Sequence, residues 1–567
     1  MTFGLMTNIL VTAMLLTGGS AVVTSLTGMP TPAACFLLPV GVVLYTMFGG
    51  IKATFLTDYV HTVMILIIIF IFAFTAYATS NILGSPGAVY DLLVQAAKDH
   101  PVEGNSEGSY LTMQSKEGAI FFVINIVGNF GTVFMDNGYY NKAIAAHPVS
   151  ALPGYVRSFP AQFRKTGLIR SQIMGGLSWF AIPWLCATTM GLACLALETH
   201  PSFPTYPLRM SHEDVSAGLV LPNAAVALLG KGGAVATLLL VFMAVTSAMS
   251  AELIAVSGIW TYDIYQTYIN PKASGKNLIF MSHSCVIFFG FFMAAFSTGL
   301  YYAGISMGYL YLMMGVIVSA AVLPAVLTLL WSRQNLAAAA GAPVLGLICA
   351  VIAWLVTASK EGGSLSVEST GANNPMLAGN VVALLSPLIF VPILTFAFGP
   401  ANYDWQSMKA IRKGDDSDIA DAANVDIERV PGAAIIDSAA EEKEHKNLMR
   451  ASKIAGWTTV TMTLVLLVLW PMPLYGTGYV FSKKFFTGWV VVGIMWLGFS
   501  SCCVGLFPLW EGRTSMARTA KAIWRDINGK GIERRGVVTE ATGEVDSPAT
   551  ESVQGDEKVA REKVGTI

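Results

Sequence analysis

The sequence predicts an all-α membrane protein with about twelve membrane-spanning helices. Three observations lead to this prediction: hydrophobic residues make up 54% of the 567 residues, charged residues make up only 12%, and long apolar runs recur along the chain. A soluble domain usually carries about 25% charged residues, and roughly 20 apolar helical residues cross the hydrocarbon core of a bilayer. We therefore expect the chain to lie in a lipid bilayer. The net charge of −1 gives no indication of a nucleic-acid partner.

Twelve apolar runs carry this prediction. They lie at residues 5–25, 31–49, 59–79, 118–136, 170–197, 233–258, 276–300, 304–331, 335–358, 376–399, 455–475 and 486–510. Many contain Gly and Pro, which membrane helices tolerate. The pattern predicts a membrane core at 1–399, an acidic cytoplasmic linker at 400–454, two further spans within 455–512, and a tail at 513–567 that is basic and then disordered.

Lysines and arginines in the short connections predict the orientation, because cytoplasmic loops carry an excess of them. The connection 138–169 has no acid and four basic residues: Lys142, Arg157, Arg164 and Lys165. The connection 80–117 is rich in acids and is expected outside. Alternation of the spans then places both termini in the cytoplasm, and it leaves the basic pair Lys483–Lys484 on the outer side as an exception.

The run 233–258 combines spanning length with polar side chains. Thr246, Ser247 and Ser250 fall within little more than one helical turn, and Glu252 follows. Polar groups at this depth are costly unless they serve one another, a substrate or an ion. The run therefore indicates a protein that moves a solute or an ion, although Glu252 could instead extend to the inner membrane interface.

The fourth run reads GAIFFVINIVGNFGTVFMDNGYYNKA, with Gly128, Asn129, Phe130 and Gly131 near its middle. Two glycines beside an asparagine predict an interrupted helix, which would free backbone groups for a polar substrate. Close packing of two helices through small residues is the alternative. The stretch GGIKATFLTDYVHT at 49–62 suggests that one helix ends at the glycines and that Asp58 is a helix N-cap.

Three ordered motifs resemble the sodium:solute symporter family. They are GGIKATFLTDYVHT, FMDNGYYNKAIAAHP and MAVTSAMSAELIAVSGIWTYDIYQTY, and within that family they are most similar to the urea and polyamine permeases of fungi and plants. The resemblance implies the LeuT-type fold, with two inverted five-helix repeats. The first three runs then correspond to core helices three to five, the next five to core helices six to ten, and the last four to peripheral helices.

The resemblance also implies a cation site. The family's two adjacent hydroxyl ligands correspond to Ser247 and Ala248, so one sodium ligand is missing, and Thr246 or Ser250 are the available substitutes. Glu252 is a candidate proton carrier. Asp58 corresponds to the family acid beside the inner cation exit. No organic cofactor and no metal site is expected, and the coupling ion is a proton or sodium.

Urea is the substrate that the resemblance implies, with polyamines as an alternative. Its N–H donors and carbonyl oxygen require matching polar groups in a dry site, and Asn129 with the backbone of Gly128–Gly131 is expected to supply them. The candidate walls or gates are four aromatic residues: Phe130, Phe134, Tyr309 and Tyr311. The tyrosines could equally be interfacial anchors.

The expected function is ion-coupled import of urea across the plasma membrane by alternating access. A passive urea channel is one alternative. A truncated, non-transporting remnant or receptor is another, because nothing at the start of the sequence matches the family's core helices one and two. No enzymatic activity is expected, since the sequence offers no nucleophile–base set and no metal-ligand spacing among its cysteines.

Overall fold

The computed structural model describes residues 1–145, 179–404 and 459–506, with single positions at 456, 457, 509, 510, 513, 517, 521 and 524. Within these residues every regular element is a helix, and ten helices are long and apolar enough to cross a membrane. This confirms the all-α membrane class. Most of the linker and tail, and residues 170–178 of the fifth predicted span, lie outside the described residues.

Up to Leu197, the described residues form six α-helices. They are α1 (Thr2–Thr27), α2 (Thr31–Phe74), α3 (Pro86–Asp99), α4 (Lys116–Met135), α5 (Asn137–Ala145) and α6 (Thr189–Leu197). A π-helical segment, Thr75–Thr79, extends α2, and another, Ile182–Thr188, precedes α6. Continuous hydrogen bonding through these segments keeps the apolar runs helical.

After Leu197, the part of the chain that the structure describes forms twelve α-helices, and most of the long ones match predicted spans. They are α7 (His212–Ser216), α8 (Val220–Leu229), α9 (Lys231–Gly258), α10 (Gly275–Tyr302), α11 (Met307–Val318), α12 (Val322–Leu330), α13 (Leu336–Gly362), α14 (Val367–Gly371), α15 (Asn373–Leu385), α16 (Pro387–Ala397), α17 (Pro471–Gly476) and α18 (Lys483–Ser501). The π-helical segments Ile259–Ile269, Leu464–Leu469 and Cys502–Leu506 adjoin α9, α17 and α18.

The two predicted spans 31–49 and 59–79 form one kinked helix. Gly50 is the kink, with φ 51° and ψ −150°, a conformation that other residues rarely adopt. Helix α2 resumes at once, so Asp58 lies inside it and the predicted N-cap role is wrong. Before the kink α2 packs with α1, α9 and α10. After the kink it packs with α6 and α18 and still contacts α9 through Asp58 and Ser247.

Helix α4 runs without interruption through Gly128–Gly131, so the predicted break there is wrong. Both glycines face α11: a Cβ on Gly131 would lie 2.6 Å from Val318 Cγ2, and one on Gly128 would lie 3.2 Å from Met314 Cε. The glycines thus permit close helix packing. The chain breaks instead at Asp136, which is extended (φ −78°, ψ 113°).

The acidic connection 80–117 contacts the segment before α18. Lys483 Nζ lies 2.5 Å from Asp91 Oδ2, and Thr112 forms a β-bridge with Val480. Both segments therefore lie on the same side of the bundle. Asp91 gives one lysine of the exceptional basic pair a local counter-charge.

Candidate functional site

Helix α9 carries two acid-containing clusters on different faces. Ser247 and Glu252 are five residues apart, and a helix turns about 100° per residue, so their side chains diverge by roughly 140°. Ser247 faces α2, whereas Glu252 faces α1 and the junction of α4 with α5. The sequence therefore brings two separate polar sites to one membrane helix.

The first cluster, the Asp58 site, consists of Asp58, Lys142 and Ser247. The Ser247 hydroxyl donates to Asp58 Oδ1 at 2.6 Å, and Lys142 Nζ lies 2.5 Å from Asp58 Oδ2. The Asp58 and Lys142 side chains are 24% and 26% exposed. An internal ammonium thus already compensates the carboxylate that the sequence pointed to as a cation ligand.

Thr246 and Ser250 do not join the Asp58 site. The Thr246 hydroxyl donates to Phe242 O at 2.8 Å, and the Ser250 hydroxyl donates to Ser247 O at 2.8 Å. Hydroxyls within a helix commonly bond backward to their own backbone in this way. Of the candidate cation ligands, the structure therefore brings only Asp58 and Ser247 together.

The second cluster, the Glu252 site, consists of Asn8, Asp136 and Glu252. Asn8 Nδ2 donates to Glu252 Oε2 at 2.6 Å and to Asp136 Oδ1 at 3.0 Å. The three side chains are at most 4% exposed. The alternative in which Glu252 extends to the membrane interface is therefore wrong.

Asp136 also organises the backbone at this site. The Gly138 N–H donates to Asp136 Oδ1 at 2.7 Å, as expected for an N-cap residue that begins α5. The same acid thus ends α4, starts α5 and shares Asn8 with Glu252.

Sequence reasoning missed three functional candidates: Asn8, Asp136 and Lys142. The order Asp136–Asn137–Gly138 carries an N-cap signal that could have located the break. Asn8 is an amide inside an apolar run, a pattern that itself marks a polar contact. The partners of both residues are remote in sequence, so neither signal identifies the cluster.

A third polar group lies where α4 contacts α11. Asn129 Nδ2 donates to Asn125 Oδ1 at 2.6 Å and approaches the Tyr311 hydroxyl at 3.3 Å, and Tyr311 donates to Asn125 Oδ1. Asn129 is exposed, whereas Asn125 and Tyr311 are partly buried. Two amides and a phenol thus offer both donors and acceptors to a solute.

The other candidate substrate residues divide between two roles. Phe130 and Phe134 stack with ring centroids 6.1 Å apart, and they point about 100° and 140° away from Asn129 around the axis of α4. Tyr309 instead hydrogen-bonds the Thr370 hydroxyl at 3.0 Å and packs on Gly371. The structure thus joins Asn129 and Tyr311 and separates Tyr309 from them.

Comparisons with known proteins identify the family. Residues 4–349 match the model of the sodium:solute symporter family. The chain is 54% identical to the "Probable urea active transporter 1" of Schizosaccharomyces pombe, over 98% of this chain and 79% of that protein. It is 51% identical to the "Urea active transporter" of Saccharomyces cerevisiae (94% and 76% covered), and 42% identical to the "Urea-proton symporter DUR3" of Oryza sativa subsp. japonica (92% and 68% covered).

A solved structure gives the fold. A sodium-coupled sialic acid symporter in a substrate-bound, outward-open state superposes with a TM-score of 0.50 at 16% identity, over 70% of this chain and 74% of that chain. This likeness confirms the LeuT-type fold implied by the sequence motifs.

Proposed function

Since the chain belongs to the sodium:solute symporter family, we propose that it is a secondary active transporter that carries urea into the cell. The observation that carries this proposal is the identity of 54% and 51% to proteins named as urea active transporters, over nearly the whole chain. Coupling urea entry to an ion gradient requires that ion and solute favour the same conformation. Helix α9, which bears both acid sites, is the element best placed to respond to the ion.

Urea uses the polar group formed by Asn125, Asn129 and Tyr311. Urea is a double amide, so its N–H groups need acceptors and its carbonyl needs donors. The asparagine amides and the tyrosine hydroxyl supply both.

The coupling ion is a proton. Position 248 is an alanine, so the hydroxyl pair expected for sodium is incomplete, and Lys142 already lies 2.5 Å from Asp58. Glu252, in contrast, is a buried acid for which the described residues include no lysine or arginine within salt-bridge distance. One of the relatives is named as a urea–proton symporter, which supports the same assignment.

Uptake of radiolabelled urea by cells that lack their own urea transporters tests the function, with external pH and sodium varied separately. We expect uptake that saturates, increases as external pH falls, is indifferent to sodium and collapses with a protonophore. Uptake unaffected by the protonophore and limited to equilibration would indicate a passive channel and contradict the proposal. Inhibition of urea uptake by added polyamines measures how strongly the transporter binds polyamines compared with urea.

The two tyrosines of α11 provide a matched test of the substrate group. Tyr311→Phe removes a hydroxyl bonded to Asn125, and the loss of about 1 kcal/mol for one hydrogen bond corresponds to a roughly fivefold higher KM for urea. Tyr309→Phe removes a hydroxyl bonded to Thr370 and should leave KM unchanged. Equal effects of the two variants would rule out this location.

We also place the protein in the plasma membrane with both termini in the cytoplasm. The acid-rich connection 80–117 and the segment before α18 then face outward, linked by the Lys483–Asp91 pair. An epitope tag before Met1 should be reached by antibody only after permeabilisation, and labelling of intact cells would reverse this orientation.

A further inference from the structure

Two carboxyl groups from distant parts of the sequence meet around one amide inside the bundle. We propose that Asp136 and Glu252, bridged by Asn8, form a binding site for a single proton. Asn8 Nδ2 lies 2.6 Å from Glu252 Oε2 and 3.0 Å from Asp136 Oδ1. The proton-binding chemistry follows from this geometry, and its use in transport rests on the proposed function.

Proximity of the two carboxyl groups is the first argument. One oxygen of each carboxyl group lies within hydrogen-bonding distance of the same nitrogen, Asn8 Nδ2, at 2.6 Å for Glu252 and 3.0 Å for Asp136. Two carboxylates held this close repel each other when both are ionised, and a single bound proton removes that repulsion. With exposures of 4% and 3%, two adjacent negative charges would be poorly solvated, as in other carboxyl pairs that share a proton.

The surrounding charges are the second argument. The titratable groups that face the pair are Tyr139, Tyr140 and Lys142 on α5 and, beyond Lys142, Asp58 on α2. Lys142 is engaged with Asp58 at 2.5 Å, and Asn8 on α1 is neutral. The pair therefore lacks a cation of its own, and a bound proton supplies the missing positive charge.

The unpaired oxygen of Asn8 is the third argument. Asn8 Oδ1 is buried and has no hydrogen-bond partner among the described residues, although the nitrogen of the same amide holds both carboxyl groups. A buried acceptor without a donor is costly. A water that delivers the proton is the donor that this position lacks.

The two acids have unequal roles. Asp136 accepts the Gly138 N–H at 2.7 Å and caps α5, and both interactions favour its anionic form. Glu252 receives no backbone donor among the described contacts, so it carries the proton and donates to Asp136. Protonation then ties α9 to α1 and to the α4–α5 junction. Because α4 also carries Asn129, one helix connects the proton site with the proposed urea group.

An infrared pH titration of the purified protein in lipid tests the site without requiring transport. The wild type should show the C=O band of a protonated carboxyl that disappears at one midpoint as pH rises. In Asp136→Asn the midpoint should fall by at least about one pH unit, because the neighbouring negative charge is gone. Asn8→Ala should raise the midpoint, since the ionised form loses its donor, and Glu252→Gln should eliminate the band.

Glu117→Gln is the matched control, because Glu117 is an exposed acid in the first turn of α4, and it should leave the midpoint unchanged. A band that persists in the Asp136→Asn/Glu252→Gln double variant, or a midpoint that Asp136→Asn does not move, would overturn the proposal.

Urea uptake by the same variants separates the proton site from the proposed function. Uptake of the wild type that is insensitive to pH while the titration behaves as expected would reject the proposed function and keep the proton site. Wild-type uptake that depends on pH, together with a titration midpoint that Asp136→Asn does not move, would keep the proposed function and reject the proton site.

Discussion

The Asp58 site and the Glu252 site each hold a carboxyl group at helix α9, and the two carboxyl groups have opposite surroundings. Asp58 is 24% exposed and lies 2.5 Å from an ammonium, so its charge is balanced within the protein. Glu252 is 3% exposed and shares a neutral amide with a second acid. The difference shows that charge compensation, and not depth alone, decides whether an intramembrane acid is a fixed structural contact or a place for a mobile ion.

The short helix α5 connects the two sites. Its N-cap, Asp136, belongs to the Glu252 site, and Lys142 belongs to the Asp58 site. Helix α9 makes the same connection through Glu252 and Ser247. A change of protonation at one site therefore acts on α5 and α9, and both helices also carry residues of the other site.

Replacing Glu252 by leucine should have the largest effect on transport. Without the acid no proton is bound, and we expect proton-driven urea accumulation to fall by about 100-fold, near the upper end of measured coupling between sites. The thermal midpoint should not fall, because exchanging a buried acid that lacks a cation for an apolar side chain of similar size is often neutral or stabilising.

Leu253→Ala provides the stability control for this variant. Leu253 is the next residue and is fully buried, so its truncation should lower the free energy of unfolding by about 2–5 kcal/mol. A loss of stability in Glu252→Leu as large as that in Leu253→Ala, measured by thermal unfolding in detergent, would mean that the acid is primarily structural.

Breaking the ion pair at the Asp58 site should have a smaller effect. Asp58→Asn and Lys142→Met should each lower urea uptake about tenfold, and the double variant should lower it no further. A double-mutant cycle built from these variants should therefore give a coupling energy of about 1 kcal/mol or more. Both single variants should keep the pH dependence of the wild type, because the proposal assigns that dependence to the Glu252 site. Strict additivity, or a shifted pH profile, would contradict the distinction between the sites.

The sequence was sufficient for the fold because lipid imposes a simple rule on composition. Apolar runs of spanning length locate most of the membrane helices, and the motif around Gly49–Gly50 identifies the family. The pattern did not reveal that α2 continues past Gly50, because a helix kink and a loop both use glycine. It also misplaced the break in α4, because Gly128 and Gly131 serve packing against α11.

The candidate sites could be predicted only in part. Glu252, Asp58, Ser247 and Asn129 are recognisable as polar residues in apolar runs, and each belongs to a cluster in the structure. Their partners are not recognisable, since Asn8 and Glu252 are 244 residues apart and only the packing of α1 on α9 brings them together. Residue type indicates a polar site, whereas the identity of the site depends on which helices are neighbours.

The hydroxyls of Ser247 and Ser250 allow a finer test of the Asp58 site. Ser247→Ala removes one hydrogen bond to Asp58, worth about 1 kcal/mol, so we expect a roughly fivefold higher half-saturation concentration for urea. Ser250→Ala removes a bond to its own helix backbone and should leave this concentration unchanged. Uptake measured over a range of urea concentrations would contradict the prediction if the two variants behaved alike.

The smallest effect is expected at the third acid–lysine pair, Asp91 with Lys483. Its side chains are 62% and 52% exposed, so solvent screens the interaction and an exposed pair contributes about 0–1 kcal/mol. Lys483→Met should therefore change the free energy of unfolding by less than about 0.5 kcal/mol and leave urea uptake and its pH dependence unaltered. The distance from lysine to carboxylate is 2.5 Å both here and at Asp58, so a matching loss of uptake in Lys483→Met and Lys142→Met would mean that pairing distance, and not the environment of the pair, determines its importance.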